Sequence, residues 1–235
     1  MLDIVLATRN RDKVRELTAL LAMRGIRYRS LAAHAGVPAV PETGRTFEAN
    51  AITKARAVAK ATGCVAIADD SGLEVDALDG NPGVRSARFA GRHGDDAANN
   101  AKVLRDLQGV PPARRRARYR CVLALASPAH RGTTGGASPA RLIGVARGSW
   151  HGRIALAPAG LSGFGYDPLF VVPALGKTVG ELSAATKQRL SHRARAARRM
   201  LPVLRQLTAA EPRSSDGGPR RGYSAGDRPG RARAA

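Results

Sequence analysis

The sequence is poor in cysteine, in aromatic residues and in acidic residues, and each shortage excludes a class of protein. The two cysteines, Cys64 and Cys121, lie in apolar segments without the spacing of a metal site. We therefore expect buried, reduced thiols rather than a disulfide framework. Aromatic residues make up only 4% of the chain, which is too few for a platform that stacks the bases of a nucleic acid.

Long hydrophobic runs are also missing. The longest runs, such as Cys121–Ala126, are far shorter than the roughly 18–20 residues that a membrane-spanning helix needs. The first residues lead directly into a strand-like segment, Leu2–Ala7, with neither the basic segment nor the cleavage site of a secretory signal. We therefore expect a cytoplasmic protein without a membrane partner.

Positive charge dominates the sequence. The 39 Lys+Arg residues against 18 Asp+Glu residues give a formal net charge of +21, and such an excess often indicates a nucleic-acid partner. Here nearly all the basic residues are arginine, and alanine and glycine are also abundant, which is typical of a compositional bias across a whole genome. Because a pocket for a small anion explains part of the charge equally well, nucleic acid is not the partner we expect. A basic nucleic-acid-binding module remains an alternative.

The apolar patterns predict one α/β domain over residues 1–210 and a disordered basic tail over residues 211–235. Predicted strands are Leu2–Ala7, Cys64–Ala68, Tyr119–Ser127 and Leu142–Trp150, the last two an antiparallel pair joined by a turn-rich connection over 127–141. Predicted helices run from Val14 to before Gly25 and over Thr46–Ala61, Asp95–Leu107 and Ser183–Leu207. Pro202 should kink or split the last helix, because proline removes an N–H group and clashes with the preceding turn.

The turn after the first strand has the pattern T-x-N-x-x-K, formed by Thr8, Asn10 and Lys13. A strand here delivers the chain to a helix N-terminus, where free backbone N–H groups favour anions, and a lysine one turn into the helix can reach a phosphate. Two plainer explanations are open: Asn10 caps the helix, and Lys13 is an ordinary surface charge.

Acidic residues crowd into one segment of an otherwise acid-poor chain. Asp69 and Asp70 follow the strand over 64–68, and Glu74 and Asp76 come close behind. Adjacent carboxylates repel each other unless a cation offsets their charge, and magnesium prefers one or two carboxylates together with phosphate oxygens and water. Glu42, from a separate loop, is a candidate third carboxylate. The alternative is a plain Asx-turn that leads into a loop.

Two later segments contain further candidates. In SGFGYDPLF, the glycines beside Phe164 allow close backbone approach and leave its ring free to stack on a base, although a tight turn with core aromatics is the alternative. In K-x-x-x-S-H-R, Lys187 and Ser191 are four residues apart on one helical face, while His192 and Arg193 are rotated away from it. Taken alone, the last two are ordinary surface residues.

Together these segments resemble the inosine triphosphate pyrophosphatases, also called non-canonical purine nucleoside triphosphate pyrophosphatases. The matching segments occur in the family's order between Ile4 and about Leu204: LATRNRDKVREL, TFEANAITKA, IADDSGLEVDALDGNPGVRSARFAG, GFGYDPLF, GKTVGEL and SHRARA. The resemblance implies a two-lobed α/β fold around a long mixed β-sheet flanked by helices, with the active cleft between the lobes, and a homodimer. It also implies Mg²⁺-dependent hydrolysis of dITP, ITP and XTP to the monophosphate and pyrophosphate, which keeps these nucleotides out of DNA and RNA.

The resemblance also implies roles for individual residues. Asp70 is implied as the general base and, together with Glu42, as a magnesium ligand. The implied substrate-binding residues are Thr8, Arg9, Asn10, Arg11, Asp12, Lys13, Ser71, Phe164, Gly165, Tyr166, Asp167, Lys187, His192 and Arg193.

The chain departs from the family pattern in a few places. Glu48–Ala49 stands where an acidic pair is commoner, and Ala185 and Thr186 replace the usual acids before Lys187. Glu48 is therefore doubtful as a functional acid. A Maf-like pyrophosphatase, which acts on modified pyrimidine or canonical nucleotides, is a second alternative with related chemistry, and the SHR and FGYD segments favour the purine enzyme over it.

Overall fold

The computed structural model describes residues 1–128 and 139–210. The predicted basic tail over 211–235 and most of the predicted extension over 127–141 lie outside the described residues. Within the described residues, no helix combines the length and the hydropathy needed to cross a membrane.

A seven-stranded mixed sheet forms the centre of the protein, with strand order β2-β1-β3-β4-β5-β6-β7. Strands β1, β2 and β3 run parallel to one another, and each pairing from β3 through β7 is antiparallel. The strands are β1 Leu2–Leu6, β2 Ile26–Ser30, β3 Val65–Val75, β4 Arg116–Ser127, β5 Arg141–Ile154, β6 Phe170–Val172 and β7 Lys177–Thr178. The predicted α/β class with a mixed sheet is confirmed.

Five α-helices flank the described sheet: α1 Arg11–Leu20, α2 Phe47–Thr62, α3 Asp96–Asp106, α4 Ala184–Leu190 and α5 His192–Ala210. The ends of α2 illustrate why these residues form a helix. The Thr46 hydroxyl accepts a hydrogen bond from the Ala49 N–H group at 3.1 Å, which caps the N-terminus. Gly63 ends the helix in a left-handed conformation with φ 65°, which glycine adopts without a steric penalty.

Apolar residues pack on both faces of the sheet and at its β6–β7 end. Helix α2 buries Ala51 and Val58 against one face, and α1 and α5 bury Leu17 and Met200 against the other. A third cluster surrounds Phe170, next to α3 and strands β5 to β7. The described core therefore consists of one cluster on each face of the sheet and a third around Phe170.

The structure corrects two predicted boundaries. Strand β3 continues to Val75, so Asp69 and Asp70 lie inside the strand rather than after it; β4 supplies their partners in the sheet. The C-terminal helix runs through Pro202 without a break and is divided at Ser191 instead. Ser191 has extended dihedral angles, and its hydroxyl accepts a hydrogen bond from the Ala194 N–H group at 3.1 Å, so it caps a new helix.

Three glycines on β5 allow α5 and β6 to approach the sheet closely. Any Cβ added at Gly148 would overlap the backbone of α5 at His192 and Ala196. At Gly152 it would overlap β6, whereas at Gly144 it would meet only the side chain of Val203, at 3.1 Å. The absence of a side chain at Gly148 therefore determines how closely the first turn of α5 approaches the sheet.

Replacing Gly148 by alanine should destabilise the protein by about 1–3 kcal/mol, because overpacking against backbone cannot be relieved by side-chain rotation. Gly144→Ala on the same strand is the matched control, and it should change the free energy of unfolding much less because Val203 can rotate. Urea denaturation of both variants measures the difference. Equal free energies of unfolding for the two variants would contradict this account of the packing.

Candidate active site

Two adjoining cavities lie beside the middle of β3. The aromatic cavity, of about 310 Å³, is lined by side chains of Tyr119, Phe164, Lys187, His192 and Arg193, among others. The acidic cavity, of about 280 Å³, is lined by Thr8, Arg9, Glu42, Lys54, Asp69 and Asp70, among others. The residues common to both cavities are Asn10, Lys13, Ser71, Ala87 and His93.

The turn before α1 is a helix cap. Asn10 Oδ1 accepts hydrogen bonds from the backbone N–H groups of Asp12 at 2.9 Å and Lys13 at 3.0 Å. The capping explanation therefore holds for Asn10, and binding of an anion at this turn stays a prediction. Thr8 and Arg9 line the acidic cavity and Asp12 the aromatic cavity. Arg11 lines neither cavity.

The two adjacent aspartates of β3 face opposite sides of the sheet, since side chains alternate along a strand. Asp69 is ion-paired with Lys13 at 2.6 Å and Arg193 at 3.1 Å, and its Oδ2 also accepts a hydrogen bond from the Cys121 thiol at 3.1 Å. Burial opposes ionisation of Asp69, but the charges of Arg193 and Lys13 hold its pKa well below the usual range. The charge of Asp69 is thus offset by two cations, Lys13 and Arg193.

Asp70 lies on the α2 side of the sheet, where Lys54 connects two carboxylates. Lys54 Nζ donates to Glu42 Oε1 at 2.7 Å, to the carbonyl of Asp69 at 2.9 Å and to Asp70 Oδ1 at 3.2 Å. Burial raises the pKa of Asp70, and the Lys54 charge only partly opposes this. Burial also opposes ionisation of Glu42, but the charge and hydrogen bond of Lys54 outweigh it, so the pKa of Glu42 lies below its usual value.

The donor set around Asp70 fits a divalent cation. Asp70 is 5% exposed, and its Oδ2 is buried without a hydrogen-bond partner. Within residues 1–128 and 139–210, no three His, Cys, Asp or Glu side chains are grouped so that they hold a metal ion by themselves. Magnesium commonly binds through one or two carboxylates and takes its other oxygens from phosphates and water, which suits Glu42 and Asp70.

In the aromatic cavity two cations lie close to an aromatic ring. Lys187 Nζ is 4.5 Å and Arg193 Cζ 5.6 Å from the ring centroid of Phe164. Asp167 holds this loop in shape: its Oδ2 accepts from the Phe164 N–H group at 3.0 Å and from Lys187 Nζ at 2.6 Å. Tyr166 is buried in the core, donates its hydroxyl to the Ser86 carbonyl at 2.8 Å and also lines the aromatic cavity.

His192 is buried and stacked on Tyr119, with ring centroids 4.6 Å apart and planes inclined by 14°. Burial, reinforced by the Arg193 charge, lowers the pKa of His192 well below its usual value, so the imidazole is neutral near pH 7. Its Nδ1 atom is buried and has no hydrogen-bond partner among the described residues. A neutral imidazole carries one donor and one acceptor nitrogen, which suits recognition of a polar ring edge.

Arg193 is 2% exposed and is held by three groups. Its Nε donates to Asp69 and its Nη2 donates to Ser71 Oγ at 2.9 Å, while Nη1 pairs with Glu16. Glu16 also pairs with Lys187 at 2.7 Å. These partners use three of the five guanidinium N–H donors and leave two for a ligand.

Sequence reasoning did not identify several residues of the site. Glu16 lies three residues after Lys13 on α1, and this spacing places both side chains on one helical face. The spacing alone therefore indicates that Glu16 faces the same site as Lys13. Neither the segment TFEANAITKA, which contains Lys54, nor the apolar pattern around Tyr119 indicates a role for these side chains, because the packing of α2 on the sheet and the pairing of β4 with β3 bring them to the cavities. Glu48 pairs with the exposed Arg147 at 2.5 Å and lines neither cavity, which agrees with the doubt about its role.

Comparison with known proteins agrees with this architecture. The model of the Ham1 family matches residues 4–203. A dITP/XTP pyrophosphatase of Nitratidesulfovibrio vulgaris is 51% identical over 206 residues, which cover 85% of this chain and 94% of the relative. A dITP/XTP pyrophosphatase of Yersinia pseudotuberculosis is 50% identical over 205 residues, with coverage of 87% and 99%.

Solved structures of Ham1 proteins and dITP/XTP pyrophosphatases also resemble this chain. A HAM1 protein from Coxiella burnetii has a TM-score of 0.74 at 41% identity, covering 88% of this chain and all of that protein. A nucleoside-triphosphatase, or dITP/XTP pyrophosphatase, from Mycobacterium abscessus has a TM-score of 0.65 at 44% identity, with coverage of 86% and 100%. The family match over nearly all described residues and the close relatives together show that the chain belongs to the Ham1 family.

Proposed function

We propose that the protein hydrolyses deaminated purine nucleoside triphosphates, namely dITP, ITP and XTP, to the monophosphate and pyrophosphate. This activity would remove such nucleotides before they enter DNA and RNA. The observation that carries the proposal is the junction of the two cavities at Ser71. One cavity offers an aromatic face and a neutral imidazole for a base, and the other offers cations and carboxylates for phosphates. The names of the relatives support the same chemistry.

On the base side, Phe164 offers a ring face for stacking, and His192 and Arg193 offer hydrogen bonds. Hypoxanthine and xanthine have a carbonyl oxygen at position 6, and a remaining Arg193 donor satisfies it. Adenine has an amino group there, so two donors would face each other. A buried donor without a partner costs about 1–3 kcal/mol, which favours the deaminated bases.

On the phosphate side, Lys13 lies at the start of α1, where the helix dipole also favours negative charge. We propose Glu42 and Asp70 as the residues that hold Mg²⁺. When bound there, Mg²⁺ would supply positive charge to the phosphate oxygens. Asp70 positions and deprotonates the water that attacks the α-phosphorus, because its Oδ2 is free of partners among the described residues. Pyrophosphate leaves as the P–O bond breaks.

The family resemblance further supports a homodimer, and we propose that this dimer works in the cytoplasm. The catalytic unit would be the domain over residues 1–210. The deaminated purine nucleoside triphosphate is the partner for which the two cavities are suited.

Replacing Asp70 by asparagine should lower kcat by roughly 10²–10⁴-fold, the usual contribution of a general base. The shape of the side chain is retained and Lys54 keeps its ion pair with Glu42, so the thermal midpoint should remain close to that of the original protein. Release of pyrophosphate from ITP measures the rate. Asp76→Asn, an exposed acid on the same segment, is the control. Near-full activity of the Asp70 variant would refute the assigned role.

Replacing Glu42 by glutamine should raise the magnesium concentration needed for half-maximal activity, because one charged ligand is lost. Glu48→Gln is the control, since Glu48 pairs with Arg147 outside both cavities. Titration of metal-depleted protein with MgCl₂ at saturating ITP measures the shift. An unchanged half-maximal concentration for the Glu42 variant would exclude it as a ligand.

Among ITP, XTP, dITP, ATP, GTP and dUTP, the first three should show the highest kcat/KM. ATP should be slower by roughly tenfold to a hundredfold, which corresponds to one unpaired donor. Pyrophosphate release from each nucleotide, with and without magnesium, provides the comparison. Comparable rates on ATP or GTP would contradict the proposed substrate class.

A further inference from the structure

We infer that His93 is a substrate-binding residue that contacts the sugar and α-phosphate of the nucleotide. The inference rests on the proposed function, because it assumes that one nucleotide occupies both cavities. It adds a contact in the middle of the substrate, between the base and the terminal phosphates.

The position of His93 at the junction of the cavities is the first observation. A nucleotide with its base in the aromatic cavity and its β- and γ-phosphates in the acidic cavity must pass its sugar and α-phosphate through the shared part. Only five residues line both cavities among those that the structure describes, and His93 is one of them. It comes from a different segment of the chain than Asn10, Lys13 and Ser71.

The second observation is that the imidazole of His93 is not used by the fold. Among the other polar residues at the junction, Asn10 caps α1, Lys13 pairs with Asp69, and Ser71 donates to Asp69 and accepts from Arg193. Within residues 1–128 and 139–210, the His93 side chain makes no hydrogen bond or ion pair, and it is exposed. Its two ring nitrogens are therefore open to a ligand.

The third observation is that the backbone on both sides of His93 is held in place. Gly91 N donates to the Arg88 carbonyl at 3.0 Å, and Gly94 N donates to the Ala87 carbonyl at 2.7 Å. Both glycines have positive φ angles, 106° and 77°, which side chains disfavour. Arg88 in turn donates to the carbonyl of Glu42 at 3.1 Å. The loop around His93 is therefore held by Ala87 and Arg88, and Arg88 in turn contacts Glu42, the proposed magnesium ligand.

The chemistry of an imidazole suits this part of a nucleotide. Sugar hydroxyls both donate and accept, and phosphate oxygens accept, so one donor nitrogen and one acceptor nitrogen can satisfy either group. A contact made in this region depends on the sugar and α-phosphate and not on the β- and γ-phosphates. A loss of affinity for inosine monophosphate, without a loss of affinity for pyrophosphate, therefore distinguishes this contact from a general attraction of anions.

The test compares His93→Ala with Arg92→Ala, which removes an exposed neighbour that lines neither cavity. Calorimetric titration with inosine monophosphate should show roughly threefold to tenfold weaker binding for His93→Ala, the usual net effect of one hydrogen bond. Affinity for pyrophosphate should be unchanged, and Arg92→Ala should match the original protein with both ligands. His93→Asn, whose amide both donates and accepts, should recover part of the loss.

Unchanged affinity of His93→Ala for inosine monophosphate, or an equal loss for pyrophosphate, would overturn the inference. Equal thermal midpoints for the variants would show that they are folded. Binding is measured without turnover, so failure of the original protein to hydrolyse ITP would reject the proposed function and leave this comparison valid. No binding of inosine monophosphate to the original protein would overturn both.

Discussion

The buried ion pair between Asp69 and Arg193 is the interaction on which the site depends. It joins the central strand β3 to the first turn of α5, and Lys13 adds the start of α1 to the same carboxylate. Removing one partner from such a group leaves an uncompensated buried charge, which typically costs 3–5 kcal/mol. These ion pairs therefore fix the relative positions of β3, α5 and α1, which are three of the elements that line the aromatic cavity.

Because side chains alternate along β3, its two adjacent aspartates lie on opposite faces of the sheet and have different partners. Asp69 points to the side of α1 and α5 and stays ionised between two cations, while Asp70 points to the side of α2 and retains a free oxygen. Two identical residues, adjacent in sequence, thus have pKa values shifted in opposite directions. Had the strand ended at Ala68, as the apolar pattern indicated, this separation would not follow.

Much of the fold was predictable, because long apolar patterns report burial directly. The helix over Thr46–Ala61 and the antiparallel pair of β4 and β5 were predicted within a few residues of their ends. The edge strand β2 was not, since arginines occupy its exposed positions. Site residues that lie close together in the sequence, such as Asp69 and Asp70, could be predicted as a group. The contacts of Lys54 with Asp70, and of Tyr119 with His192, join residues far apart in sequence, so they depend on how α2 and α5 pack on the sheet and not on a local pattern.

The scarcity of lysine has a practical consequence. Three of the six lysines, Lys13, Lys54 and Lys187, form ion pairs inside the cavities. The others, Lys60, Lys102 and Lys177, lie outside both cavities and are more accessible. Reagents that couple to amines would therefore attach the protein to a surface or a dye mainly through these three lysines and the N-terminus. In an arginine-rich chain, immobilisation through amines would leave the cleft open.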